Sequence, residues 1–528
     1  MELTPSVKKL TAEYQRWYKS IQPQEGISTI VVDEVAAKVA SFYEKIRGVV
    51  DWREEHLLRK TAIERILKRR MLLGTMEDFA EPFLQELIRG GHFPNERIPT
   101  AKIEEIQKIV EKYFYLLENT PQEGTEKVLA ELRMWLLSIA AAEIEETLAP
   151  PIRERALIEF MAQDMREKVR VQEGNTIGEE EKNLQIAVAV ERALFKLDET
   201  TITYHLLEQR YQNWKTLSGP NLQQLAGQLP LVKKELHLIL QNPMAERFYQ
   251  LMEKYDSPYL IIGDVLTVHP TEFEQFSLDA TAMEGAVEES YKTRLQRLKG
   301  RMRRAAVYST ISVFLTKVLV AFSIEIPFDK YVTGDFNQTV LWISVVVPPL
   351  LMLLLVMSTK TTTEENFQRL VMGVMKITYG KKNGEVLEIP MAARKRPMLR
   401  KFISTIYLLS FLLSFGIISW VLWQMNFSIL SILIFLLFLS LVAFAGTKIR
   451  QRGRELLIGK EKQGFLYTIF DLFSLPIIHT GGWLSRQVAR YNILVVIFNF
   501  LIEVPFQVFV EFLEQWRTFL REKREEVH

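Results

Sequence analysis

Two residues of the stretch LTKVLVAFSIEIPF (315–328), Lys317 and Glu325, could carry chemistry that their apolar neighbours cannot. A lysine near the centre of a membrane helix costs about 2.5–3.5 kcal/mol on insertion scales, so it requires an acidic partner, a polar cavity or the loss of its proton. Lys317 could pair structurally with an acid, take part in the passage of an ion or substrate, or reach lipid headgroups where the bilayer is thin. The sequence leaves these three interpretations open.

A second acid, Glu503, stands in IEVPF (502–506), which nearly repeats IEIPF (324–328). The similarity is either an internal duplication or chance. In both places a proline follows two residues after the acid, which predicts that the helix ends or kinks near the carboxylate. Glu325 lies about 12 Å along a helix axis from Lys317 at ~1.5 Å per residue, which argues against a direct pair within one helix. Glu503 is therefore the acid that we expect Lys317 to meet.

Two adjacent prolines, Pro348 and Pro349, stand in the middle of another apolar run. Each proline lacks an amide donor, so the pair predicts a break in the helical hydrogen bonding. Transporters use discontinuous helices at their binding sites, whereas other membrane helices contain prolines for structural reasons alone. The structural interpretation is preferred, and the transporter interpretation stays open.

Other catalytic chemistry is not indicated by the sequence. The chain contains no cysteine, which excludes thiolate nucleophiles, cysteine-ligated metals and disulfides. No phosphate-binding loop or zinc-protease motif occurs, and the seven histidines lack the spacing of metal ligands. Glu143, within SIAAAEIEE, is expected at the solvated edge of an amphipathic helix, with a buried acid as the alternative. We expect no metal or other cofactor, and enzymatic activity is not expected.

Four apolar runs could position these residues in a membrane, since about 20 helical residues cross a hydrocarbon core of ~30 Å. The segments before the first run, between the second and third, and after the fourth are rich in Lys and Arg, whereas the other connectors hold only Lys330. Basic loops stay in the cytoplasm. The sequence thus predicts a multi-pass protein of the cell membrane, with both its N-terminus and its C-terminus in the cytoplasm. The runs are residues 305–324, 339–357, 402–423 and 427–445.

The predicted fold class is all-α, a multi-helix soluble N-terminal domain followed by a polytopic helical membrane domain. Residues 1–275 show helical apolar periodicity and are predicted to form the cytoplasmic domain. Residues 276–304 are predicted to form a basic stalk helix that continues into the four-span membrane domain, 305–446. The long cytoplasmic loop of that domain is 358–401.

The C-terminal segment, residues 447–528, is predicted to be amphipathic and to lie at the membrane interface or re-enter the membrane. Paired glycines in TGGW (480–483) predict a turn. Residues 491–512 are apolar but contain Glu503 and a proline, and basic residues flank them on both sides. A fifth span over 491–512 is the alternative.

Two basic clusters could bind anionic lipid headgroups, at about 1 kcal/mol per basic residue near the membrane surface. A solvated helix face is the preferred interpretation of the first cluster, and lipid contact is its alternative. Nucleic acid is not an expected partner, because the net charge is only +2 and no aromatic platform accompanies the basic residues. The lipid-surface candidates are Arg59, Lys68, Arg69 and Arg70 in the first cluster, and Arg301, Arg303 and Arg304 in the second.

These features predict a non-enzymatic membrane protein that presents a helical cytoplasmic domain as a scaffold or docking surface. Its expected partners are the anionic lipid bilayer and either a second copy of the chain or a cytoplasmic protein. The alternative is a transporter or channel-like module that uses Lys317, Glu325, Glu503 and the Pro348-Pro349 helix break.

Overall fold

The computed structural model describes most of the chain and is predominantly helical. The described residues are 3–22, 26, 28–32, 55–73, 78–121, 125–172, 177–334, 336–357, 364–380, 386–389, 397–453, 465–491, 512, 516 and 519. Within them, the predicted all-α class is confirmed except for one pair of three-residue strands.

The chain divides into two compact units. Unit 1 comprises Met1–Gly285, Gly373–Met391 and Ile502–His528, and unit 2 comprises Ala286–Met372 and Ala392–Leu501. Unit 1 therefore includes chain segments beyond the predicted domain of residues 1–275. The boundary at residues 285 and 286 falls within a helix that both units share.

The helices up to that boundary differ in how their apolar residues are arranged, and several of them are amphipathic. They are α1 (Pro5–Ser20), α2 (Glu55–Leu73), α3 (Ala80–Arg89), α4 (Lys102–Asn119), α5 (Glu126–Leu148), α6 (Ile152–Lys168), α7 (Glu179–Phe195), α8 (Glu199–Arg210), α9 (Gly219–Leu240), α10 (Ala245–Val268) and α11 (Phe273–Phe276). Helix α4, for example, buries Ile106, Ile109, Val110 and Leu116, whose spacing by three and four residues lines one face of a helix. Such faces pack together into one large apolar core.

Two strands join distant parts of the chain within unit 1. Strand β1 (Val169–Val171) pairs in parallel with β2 (Leu387–Ile389), and Arg170 stands opposite Glu388. The same stretch of the chain forms two more hydrogen bonds in unit 1. The amide of Thr4 donates to the carbonyl of Thr378 over 3.1 Å, and the hydroxyl of Tyr379 donates to the carbonyl of Ser277 over 2.6 Å. Residues 373–391, from the loop predicted between the second and third apolar runs, thus belong to the N-terminal unit.

The remaining elements follow in chain order. They are α12 (Ala280–Val320), a π-helical turn π1 (Ala321–Glu325), α13 (Ile326–Phe328), a second π-helical turn π2 (Asp329–Thr333), α14 (Gln338–Met357), α15 (Glu364–Tyr379), α16 (Pro397–Gln424), α17 (Ile429–Gly453) and α18 (Phe465–Tyr491). Four of these helical segments are long and apolar enough to cross a membrane. They are Ala280–Thr333, Gln338–Met357, Lys401–Gln424 and Ile429–Gln451, which contain the first three predicted runs and all of the fourth except residues 427 and 428.

One sequence-based prediction about a helix break is wrong, and the double proline removes helical hydrogen bonds without ending its helix. Helix α14 continues through Pro348 and Pro349, both of which are buried. A turn was predicted at TGGW, but helix α18 continues through it. Gly481 lies directly against the backbone of Ser440 in α17, so the glycine serves close helix packing there. In both cases the packing of neighbouring helices overrides the local preference of the residue.

Candidate functional site

Lys317 and Glu325 form a buried ion pair in the first candidate membrane helix. The Lys317 Nζ donates a hydrogen bond to Glu325 Oε1, and the two side chains are only 0% and 1% exposed. The second carboxylate oxygen, Oε2, accepts a hydrogen bond of 3.1 Å from the hydroxyl of Ser344 in α14. The ring of Phe438 in α17 lies 5.2 Å from Nζ, at cation–π distance. Three helical segments therefore meet at this pair.

The pair forms because π1 lies between its two members. The i→i+5 hydrogen bonding of π1 widens the helix over Ala321–Glu325, and Glu325 lies on the same face as Lys317. The long lysine side chain bridges the remaining axial distance. The sequence-based argument against a pair within one helix was wrong, because it assumed α-helical geometry throughout. The alternative partner, Glu503, lies outside the described residues.

Polar backbone groups lie close to the ion pair. Pro348 and Pro349 lack the amides that an uninterrupted α-helix would direct at the carbonyls of Ser344 and Val345. The hydroxyl of Ser344 donates a hydrogen bond to Glu325, so the residue whose carbonyl loses its helical donor is in contact with the ion pair. The two prolines therefore add hydrogen-bond acceptors beside the pair without interrupting the helix.

A further acid, Asp329, follows Glu325 along the same segment. Its Oδ2 accepts a hydrogen bond of 3.3 Å from the hydroxyl of Ser431, in the first turn of α17. The amide of Ser431 in turn donates to the hydroxyl of Ser428, which precedes that helix. Asp329 therefore ties the end of the first candidate membrane helix to the start of the fourth.

The predicted lipid-surface residues fall into two groups in the structure. Arg59 contacts Glu145 and Glu55, each over 2.6 Å, and its side chain is 19% exposed, which corrects the prediction of a lipid-facing or solvated residue. Arg69 and Arg70 both pair with Glu86. The other candidates, Lys68, Arg301, Arg303 and Arg304, are exposed.

A second buried charge cluster, which the sequence did not predict, surrounds Glu143 in unit 1. Its carboxylate accepts hydrogen bonds of 2.6 and 2.9 Å from Lys112, 2.7 Å from the hydroxyl of Tyr113 and 2.8 Å from the indole of Trp214. Glu143 is fully buried, so the expectation of a solvated helix edge was wrong. The alanines at 140–142 were the available signal, since small residues permit close helix packing. With these donors the cluster is a structural element of the core.

His205 lies in a separate network between two carboxylates. Its Nε2 is 2.6 Å from Glu146 and its Nδ1 is 3.0 Å from Glu191, an arrangement in which the doubly protonated ring donates to both. Burial alone would lower the pKa of His205, but the hydrogen bonds to Glu146 and Glu191 outweigh it and raise the pKa to about 9.

This arrangement predicts a pH-dependent contribution to stability. The folded state holds the His205 proton more tightly than the unfolded state, so the contribution is complete below about pH 6.5 and disappears as the pH rises through about 9. Each pKa unit corresponds to about 1.4 kcal/mol. The unfolding free energy of the full chain should therefore exceed that of His205→Gln most at pH 6 and least at pH 9.5. Denaturant titrations would measure the difference, with the exposed His237→Gln as control, and a difference that widens with pH would contradict it.

Comparisons with protein-family models, with curated proteins and with solved structures give no match. Among the described residues, no group of three or more acidic or histidine side chains could hold a metal ion. The fold and site therefore define the class only broadly. The chain is a helical protein with four candidate membrane helices and a buried ion pair in the first of them.

Proposed function

We propose that this chain is a multi-pass membrane protein that holds unit 1 at the cytoplasmic surface as a docking platform. The observation that carries this proposal is the pairing of β1 with β2. It joins the N-terminal part of the chain to a segment that follows the second candidate membrane helix. Helix α12 supports the proposal as well, because it continues without a break from residues of unit 1 into the first candidate membrane helix.

The strand pair bears on topology because one compact unit lies on one side of a membrane. Between β1 and β2 the chain contains the first two candidate membrane helices. Two crossings return the chain to the side on which it started, and one crossing does not. The basic residues of both segments support a cytoplasmic location for that side.

Cysteine cross-linking tests this arrangement. The chain has no native cysteine, and Arg170 and Glu388 are directly opposed in the strand pair. In Arg170→Cys/Glu388→Cys, a short bifunctional maleimide that enters cells should therefore produce an intramolecular cross-link, detected by mass spectrometry.

The matched control replaces the second position by Asn337→Cys, in the connector that the loop charges assign to the outside. Arg170→Cys/Asn337→Cys should give no cross-link. The arrangement fails if both cysteines of the strand pair react singly with maleimide and yet no cross-link forms between them.

The docking role itself predicts an exposed contact surface on unit 1. Helix α9 exposes Leu231 and Leu238, which lie two turns apart on one face with Lys234 between them. A protein cross-linked to the full chain in its native cells should be lost in Leu231→Arg/Leu238→Arg. It should remain in Leu278→Arg, which changes an exposed leucine outside α9. Equal recovery from all three proteins would contradict docking at this face.

A second candidate function is a pathway for protons or cations, which the Lys317–Glu325 pair favours. Ionisable residues within membrane segments often mark such pathways, and π-helical turns are frequent at functional sites. Sealed vesicles containing the purified protein and a pH-sensitive dye separate the two candidates. A docking platform predicts acidification at the rate of protein-free vesicles. A pathway predicts faster acidification that Lys317→Leu/Glu325→Leu abolishes.

A further inference from the structure

Helix α18 (Phe465–Tyr491) is not one of the four helices that length and apolar composition assign to a membrane. Its central part contains Pro476, His479 and the glycine pair of TGGW, all of which weaken an apolar helix. It nevertheless packs along α17 and against α16, which contain the fourth and third candidate membrane helices. The contacts that it makes there are unusual for a helix surrounded by water.

One serine of α16 replaces a hydrogen bond that Pro476 removes, and a second lies beside the next carbonyl. The proline lacks the amide that would bond the carbonyl of Leu472, four residues earlier. The hydroxyl of Ser410 donates to that carbonyl over 2.7 Å. The hydroxyl of Ser414 lies within hydrogen-bond distance of two carbonyls, that of Phe473 at 2.8 Å and that of Ser410 in its own helix at 2.7 Å. Water would satisfy such carbonyls in solution, but in a bilayer core each unsatisfied group costs several kcal/mol, so the protein must supply the donor.

The glycines bring α18 into direct contact with the backbone of α17. A Cβ atom on Gly481 would lie 1.9 Å from the carbonyl oxygen of Ser440, and one on Gly482 would lie 3.0 Å from the ring of Phe444. Close packing through small residues is typical of membrane helices, which gain little from apolar burial in lipid.

Three of the four contact points, Ser410, Ser414 and Ser440, lie deep within candidate membrane helices, and Phe444 lies near the end of the fourth, four residues before Lys448. At ~1.5 Å per residue, Ser410 and Ser414 lie about 13 and 20 Å from Lys401, where the third candidate begins. Ser440 and Phe444 lie about 16 and 22 Å from Ile429, the start of the fourth. A hydrocarbon core is ~30 Å thick, so the contacted part of α18 lies within it.

We infer that α18 is a fifth intramembrane helix and that its free face contacts lipid acyl chains. That face includes Leu472, Leu475 and Trp483, which are exposed large apolar residues. The candidate membrane helices beside α18 also expose large apolar residues, such as Leu437 in α17. The inference rests on the proposed membrane location of the four candidate helices.

Single-cysteine labelling in lipid nanodiscs, which are open to water on both faces, tests the inference in the intact chain. The test position is Leu475→Cys, 43% exposed in the native residue, and the membrane control is Leu437→Cys, 40% exposed. Leu238→Cys in α9 is the aqueous control. A water-soluble maleimide should label Leu475→Cys at least about tenfold more slowly than Leu238→Cys and at a rate close to Leu437→Cys. Labelling after denaturation confirms that all three thiols are intact.

Two outcomes would overturn the inference in distinguishable ways. Fast labelling of Leu475→Cys with slow labelling of Leu437→Cys places α18 outside the bilayer and leaves the proposed function intact. Fast labelling of both variants contradicts the membrane location of α17. It would therefore overturn both the proposed function and the assignment of α18 as a fifth intramembrane helix.

Discussion

Lys317→Leu is expected to destabilise the purified protein by about 3–5 kcal/mol, the usual cost of removing one partner from a buried ion pair. The substitution leaves Glu325 as a buried carboxylate with the Ser344 hydroxyl as its remaining hydrogen-bond donor in the pair's surroundings. Thermal or denaturant unfolding in detergent would measure the loss. Ser344→Ala, which removes one hydrogen bond to the carboxylate and leaves both charges paired, should cost less, about 1.5–3 kcal/mol.

Double variants identify which acid is the partner of Lys317. Replacing both members of a buried pair by uncharged residues is often nearly neutral, so Lys317→Leu/Glu325→Gln should recover much of the lost stability. Lys317→Leu/Glu503→Gln should recover none if Glu325 is the partner. The pair has no structural importance if Lys317→Leu unfolds like the unaltered chain, and rescue by Glu503→Gln instead would contradict the contact in π1.

Gly481→Ala should cost about 3 kcal/mol, at the upper end of the range for overpacked sites. The new methyl group would lie 1.9 Å from the carbonyl oxygen of Ser440 and 2.5 Å from its carbon, and a backbone cannot move aside as a side chain can. Helices α17 and α18 must therefore separate. Unfolding of the two proteins in the same detergent would measure the effect.

Two glycines supply matched controls for this substitution. Gly416 lies in α16 with nothing within 4 Å of an added Cβ, so Gly416→Ala should stabilise the protein by roughly 0.5–1 kcal/mol through its higher helix propensity. The stability of Gly482→Ala should lie between those of Gly481→Ala and Gly416→Ala, because the nearest contact of the added methyl group is the Phe444 ring, which can rotate. If Gly481→Ala matches Gly416→Ala in stability, then α17 and α18 do not approach as closely as the structure shows.

The four candidate membrane helices could be predicted from the sequence because length and apolar composition are local properties. Residues 305–324 and 427–445, for instance, can be recognised as apolar runs without reference to any other part of the chain. In α12 the apolar residues Met283, Val287 and Tyr291 recur every four residues, which the sequence shows by itself. Tyr291 lies against Phe367 of α15, with ring centroids 5.1 Å apart. A face of the predicted stalk helix is thus covered by the chain's own residues.

The features that the sequence did not predict correctly all depend on contacts between distant residues or on a change of helix type. The partner of Lys317 depended on a single π turn, for which the sequence AFSIE gives no signal. The TGGW glycines resemble a turn until a second helix lies against them. Strand β2 has three residues, and its partner β1 lies more than two hundred residues earlier, so periodicity could not reveal the pairing. Glu143 was judged by its own helix, although its donors come from α4 and from the turn at Trp214.

The central claim is that unit 1, including residues 373–391, faces the cytoplasm while the connector before α14 faces outward. Labelling of single cysteines in intact cells with a membrane-impermeant maleimide tests this most directly. Asn337→Cys should be labelled in intact cells, whereas Glu388→Cys should be labelled only after the membrane is permeabilised. Labelling of Glu388→Cys in intact cells, or protection of Asn337→Cys until permeabilisation, would contradict the account.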